Sequence, residues 1–214
     1  MGQNRPTYID LYCERLAPGL FGEPANALSN AAFFAAAWLL ARDARRLGAW
    51  RPDIALLVAL TVLVGVGSTV FHTVATTWAQ WLDLVPILLF QLAFLWIYAL
   101  RELKWAPLPS ALVVAAFLAS ALYARQFAQP FNGSITYLPA IVALFALGMH
   151  HRATHPGRAP LLLVAAGVFT VSLLLRTIDI PACARLPLGT HFLWHLLNGV
   201  VLYLAMRTLI TSRS

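Results

Sequence analysis

Charge is what this 214-residue sequence lacks: Asp, Glu, Lys and Arg make up 11% of it, against about a quarter of an ordinary soluble domain. That is too little charge to cover a water-facing surface, which excludes a soluble globular class. Hydrophobic residues supply 60% of the chain, and the mean hydropathy is +0.74. Also missing is an apolar run before Ala25; Arg5, Asp10, Glu14, Arg15 and Glu23 occupy that stretch instead. No cleavable signal peptide is expected there, so the first apolar block is expected to act as its own insertion signal. Nor is there a sign of a second domain, a long linker, a repeat or a low-complexity tract.

What is present is apolar sequence in blocks, at 26–41, 54–74, 82–100, 109–124, 135–149, 160–178 and 189–206. A spanning helix needs roughly 20 apolar residues. The expected fold is therefore an all-α integral membrane bundle of seven transmembrane helices, or six if 135–149 is re-entrant. The expected layout is an extramembrane segment 1–25, a transmembrane domain 26–207 and a tail 208–214. The formal charge of +7 does not point to nucleic acid, because its distribution explains it. Ten of the fifteen basic residues fall on one side: Arg42, Arg45, Arg46, Arg51, Arg101, Lys104, Arg152, Arg158, Arg207 and Arg213. Lys and Arg favour cytoplasmic loops, so the amino terminus is expected outside and the carboxyl terminus inside.

Ionisable groups inside apolar spans are costly, and each one needs a reason. Ser68 and His72 stand one helical turn apart near the end of the second block; Asp83 opens the third. His191 and His195 form a second i, i+4 pair at the start of the seventh. Under the expected topology all five side chains lie near the outer ends of their helices. Three imidazoles with one open position describe a catalytic zinc site. Two histidines at i, i+4 can ligate one ion from a single helix face. The competing account is that these histidines bond carbonyls, Ser and Thr between helices, as ordinary membrane glue. His150, His151 and His155 are expected to be solvated residues of an inner loop.

At these residues the sequence resembles the alkaline ceramidase family, part of a wider membrane hydrolase superfamily that includes the progestin and adiponectin receptors. Gly67-Ser68-Thr69-Val70-Phe71-His72, Gln80-Trp81-Leu82-Asp83-Leu84-Val85-Pro86 and His191-Phe192-Leu193-Trp194-His195 carry the resemblance. So do Tyr12-Cys13-Glu14, Glu23-x-x-Asn26-x-x-Ser29-Asn30 and Asp179-x-x-x-Cys183. The resemblance implies a seven-helix amide hydrolase with zinc on His72, His191 and His195. It also implies a supporting calcium site on Glu14 and Glu23, with Asp10 a looser match; hard carboxylate oxygens suit that ion. A solvated acidic segment pairing with Arg5 and Arg15 is the alternative. Cys13 and Cys183 are expected on the same outer side, where they are either bridged or two free thiols.

The chemistry expected is amide hydrolysis. Asp83 is a general base and then acid, or else a carboxylate that orients a ligating histidine. Ser68 is an oxyanion donor, or else a small residue for close helix contact. The substrate expected is a membrane lipid with a polar amide at the interface: ceramide or another N-acyl lipid. A seven-helix receptor with a structural zinc is the second reading. A transporter is the third, and it would require broken helices or inverted repeats near midplane, which the sequence does not show. The expected location is a bacterial inner membrane with the site toward the periplasm.

Overall fold

The computed structural model describes residues 8–17, 19, 21–127 and 130–212. Arg5, Arg213 and the end of the 208–214 tail lie outside the described residues. Every described element is helical: α1 (Pro24–Ser29), α2 (Ala31–Arg46), α3 (Pro52–Val74), α4 (Thr77–Arg101) and α5 (Pro107–Arg125) come first. A 3-10 turn (Pro130–Tyr137) then leads into α6 (Leu138–Thr154), α7 (Leu161–Thr177), α8 (Asp179–Ala182) and α9 (His191–Thr211).

The boundaries follow from local chemistry. Pro opens α1, α3 and α5, where its missing N–H is one that a helix cannot use anyway. The end of α3 is Ala75 in the left-handed region (φ 48°), its N–H on the carbonyl of Phe71. Each expected block coincides with a helix, the first with α1 and α2 together. Five helices are long and apolar enough to cross a membrane by length and composition: α3, α4, α5, α9 and the run Phe131–Thr154 that contains α6. The chain is thus a multi-pass membrane protein. The other two blocks give shorter helices: α7 has 17 residues, and α2 has 16, the last five reading Arg-Asp-Ala-Arg-Arg.

The long helices form a closed ring in which α3 contacts α4, then α5, α6, α7, α9, α2 and α3 again follow as neighbours. Its outer face carries Trp38, Leu56, Leu63, Leu112, Val142 and Leu174, all exposed. Such a surface suits lipid and not water. Inside, Leu40, Ile54, Leu57, Tyr98, Leu162, Met206 and Leu209 fill the half away from the start of α9.

Lipid tails are as apolar as leucine, so helices in a membrane associate through close packing and polar contacts. Two glycines permit close approaches of one helix to the backbone of another. A Cβ on Gly199 would sit 2.9 Å from the carbonyl oxygen of Ala32, which brings α9 against α2. One on Gly67 would sit 1.9 Å from the carbonyl oxygen of Leu82. That oxygen is the acceptor that Pro86, four residues on and without an N–H, leaves unused within α4. The gap in the α4 ladder and the bare face of α3 therefore meet, beside Ser68 and Asp83.

Candidate metal centre

His72 stands in the last turn of α3, and His191 and His195 share one face of the first turns of α9. The three rings meet. Their centroids are 4.7 Å (His72 to His195), 4.7 Å (His191 to His195) and 5.2 Å (His72 to His191) apart. One ligating nitrogen from each lies within 4.8 Å of the others, and all three side chains are buried. The Nε2 of His72 and the Nδ1 of His191 have no hydrogen-bond partner among the described residues. Buried polar atoms are normally paired, so two orphaned lone-pair positions in one cluster are what a missing cation would leave.

The Nδ1 atoms of His72 and His195 are tied down. The Nδ1 of His72 bonds the carboxylate of Glu23. As donor there, it leaves its Nε2 lone pair free, the carboxylate–histidine pairing common at metal sites. The Nδ1 of His195 is 2.7 Å from the hydroxyl of Ser29, which in turn donates to the carbonyl of Asn26 at 2.8 Å. With its one proton so used, Ser29 accepts from His195 and leaves that ring's Nε2 as the acceptor. The residues present therefore fit a divalent ion of the kind imidazole favours.

The amino-terminal segment builds the rest of the centre. Tyr12 stacks on His191 with ring centroids 3.6 Å apart. Burial pushes the Tyr12 hydroxyl above its ordinary pKa, so it stays protonated. Arg15 is fully buried, pairs with Glu23 and donates to the carbonyl of His72 at 2.8 Å. Burial alone would raise the Glu23 carboxyl; its bonds to His72 and Asn26 and the charge of Arg15 outweigh this and hold it low. Asp179 fixes the start of α9, accepting from the backbone N–H of Thr190 at 2.6 Å, His191 at 2.9 Å and Cys13 at 2.9 Å. Gly189, at φ +64°, passes so close that a Cβ there would strike the Asp179 carboxylate. Cys13 and Cys183 form a disulfide, with Cα atoms 5.5 Å apart, which closes the same junction.

Of the residues the sequence singled out, His72, His191 and His195 come together. The Ser68 hydroxyl lies 3.5 Å from Nε2 of His195. Asp83 is half-buried in α4, and its backbone lies against Gly67, the neighbour of Ser68. The calcium set finds no support. Asp10 is exposed, and Glu14 accepts the backbone N–H groups of Ala25 (2.6 Å) and Asn26 (2.8 Å), capping α1. Glu23 bonds Arg15 and His72, which places it against the histidine cluster. His151, expected to be solvated, is buried against the Tyr98 hydroxyl at 3.1 Å because α6 continues to Thr154. Sequence reasoning gave no role to Ser29 or Asp179, and it had Arg15 only as a partner for a solvated acidic segment, whereas the Arg15–Glu23 pair is buried. The signal for Ser29 was available: Glu23, Asn26 and Ser29 recur every three residues, which lines one helix face.

An all-helical membrane bundle with a buried cluster of three histidines defines the class: a multi-pass membrane protein equipped to hold a metal ion. The chain belongs to the Ceramidase family, whose model matches residues 12–214. No curated protein matches it. Family membership gives the activity its general character, hydrolysis of an amide in a lipid of the ceramide type.

Proposed function

We propose that this protein is a zinc-dependent intramembrane amidohydrolase that cleaves ceramide or a similar N-acyl lipid and releases a fatty acid. The observation that carries the reading is the pair of unpartnered, buried imidazole nitrogens on His72 and His191, with His195 beside them. His72, His191 and His195 would hold the ion. When bound, zinc polarises a carbonyl and lowers the pKa of a nearby water from about 15.7 toward 7.

This chain's own residues supply the rest. Glu23 and Ser29 hold two of the rings in the tautomer that points a lone pair inward. Asp83 takes a proton from water and passes it to the amide nitrogen. Ser68 donates a hydrogen bond to the carbonyl oxygen as the acyl carbon becomes tetrahedral. The balance is simple: water adds hydroxyl to the acyl carbon and a proton to nitrogen, and the C–N bond breaks. The products are a fatty acid and an amine. The positive bias of the 41–53, 101–108 and 150–159 connections supports seven spans with the site end outside and the carboxyl terminus inside.

The test is turnover of a fluorescent N-acyl sphingoid lipid by purified protein, before and after chelation. Loss of turnover with chelator and its return with zinc are expected. Equal turnover in both samples would reject the metal's role, and none in either would reject the hydrolase.

A further inference from the structure

Arg176, in the last turn of α7, is a buried cation, and the carboxylate that acts on it, Asp83, lies beyond ion-pair distance. The ion pairs among the described residues do not include it. One guanidinium nitrogen donates to the Tyr12 hydroxyl at 3.0 Å, and its Nε is buried with no partner. The rings of Tyr12, Tyr137 and Trp194 surround it at 5.3–5.5 Å. Aromatic faces attract a cation without neutralising it, and Tyr12 is a neutral phenol. A buried charge in that condition calls for an anion.

The space for one is there. Arg176 lines a cavity of about 460 Å³ among α4, α5, α7 and the Pro130–Tyr137 turn. Arg125, exposed and stacked on Trp81 at 4.6 Å, lines the same cavity, and no Asp or Glu does. An apolar cavity of about 110 Å³ shares Ile87, Gln91 and Tyr137 with it and continues inward past Trp194. The pair of cavities suits an amphiphile, with its charged head on the arginines and a chain inward. Tyr12 links the two sites, its ring stacked on His191 and its hydroxyl on Arg176.

We propose that Arg176, assisted by Arg125, binds an oxyanion carried on the head of the lipid substrate, so that the preferred substrate is an anionic N-acyl lipid. An N-acyl amino acid and an N-acyl lipid phosphate are the two chemical forms. This deepens the amidohydrolase reading and rests on it, since it supplies that site's substrate class. A fork of N–H donors matches a carboxylate or a phosphate, whereas a neutral alcohol leaves the charge unpaired.

N-palmitoylglycine and N-palmitoylethanolamine share a chain and an amide and differ in carboxylate against alcohol, so they isolate the charge. Purified protein should show a kcat/KM for the glycine conjugate at least about tenfold higher, as expected for a charged hydrogen bond. Arg176→Gln should collapse that ratio through KM, Arg176→Lys should restore part of it, and Arg125→Gln should reduce it less. Equal use of the two lipids by the wild type, or a ratio unchanged in Arg176→Gln, overturns the proposal. So does a result in which only inhibition by free palmitate responds, because the anion would then belong to the product. Binding of both amides to chelated protein, followed by tryptophan fluorescence, separates the two proposals. Preferential binding of the glycine conjugate without cleavage would retain the anion site and reject the hydrolase. If Arg176→Gln does not fold, the wild-type ratio and Arg176→Lys still decide.

Discussion

At the end of the bundle away from the start of α9, a buried histidine, His151, has a tyrosine hydroxyl at 3.1 Å and the Glu102 carboxylate at 4.0 Å. Close by, Asp43 accepts from Tyr203 at 2.9 Å and from Arg207 at 3.2 Å, and Arg101 pairs with Asp53 at 3.1 Å. The other end uses the same residue types. There Glu23 meets Arg15 and His72, Ser29 meets His195, and Asp179 meets the amides of α9. What separates the ends is what is left over. Among the described residues, the buried side-chain atoms without a partner belong to Asn26, Asn30, His72, Thr76, Arg176 and His191, all at the second end. Leaving a buried donor or acceptor unmade costs about 1–3 kcal/mol, so such atoms persist where something else uses them. A polar network that closes on itself is scaffold; one that leaves lone pairs pointing at each other is a site.

That contrast can be broken experimentally. His191→Ala has the largest expected effect: elemental analysis should find stoichiometric zinc gone, and full retention would remove His191 from the ligand set. Asp83→Asn follows; zinc should stay while turnover falls about 100- to 10,000-fold, the range for a lost general acid–base group. Unchanged turnover there would reject proton transfer by Asp83. Glu23→Gln should weaken metal affinity by about 10- to 100-fold, since it orients a ligand and does not bind the ion itself. No change in a metal titration would return Glu23 to a purely structural role. The smallest effect belongs to the closed end. His151→Ala should cost about 1–3 kcal/mol in thermal unfolding, because it leaves the Tyr98 hydroxyl only the longer 3.5 Å bond to the Leu147 carbonyl, with zinc content and kcat/KM unchanged. Lost zinc in that variant would erase the distinction between the ends.

The blocks and the histidine spacing were legible because both depend on local periodicity. A run of apolar residues about 20 long reads as a span, and His191 with His195 reads as one helix face. The end of α2 was harder, since its helix runs on through the charged residues Arg42 to Arg46 beyond the apolar block. Partners far apart in sequence were legible only where matched depth or the family resemblance pointed to them, as for His72 with His191 and Cys13 with Cys183. Glu23 was read as a calcium ligand from the resemblance, and nothing local in the sequence advertises the imidazole 49 positions away that it bonds. Ser29 finds His195 across 166 positions, and Cys13 finds Asp179 across the same number. His151 was misjudged for a different reason: a histidine-rich stretch between two apolar blocks reads as loop, yet α6 runs through it.

The disulfide between Cys13 and Cys183, together with the Asp179 clasp, also imposes an order on biosynthesis. Glu23, Ser29 and His72 emerge from the ribosome early, but the residues that finish the centre arrive only with α8 and α9. Until α9 inserts, His72 stands alone and no cation can be chelated. On the metal-dependent reading proposed above, the protein stays inert through most of its own translation and becomes competent in one late event, when the chain's two distant segments are stitched together.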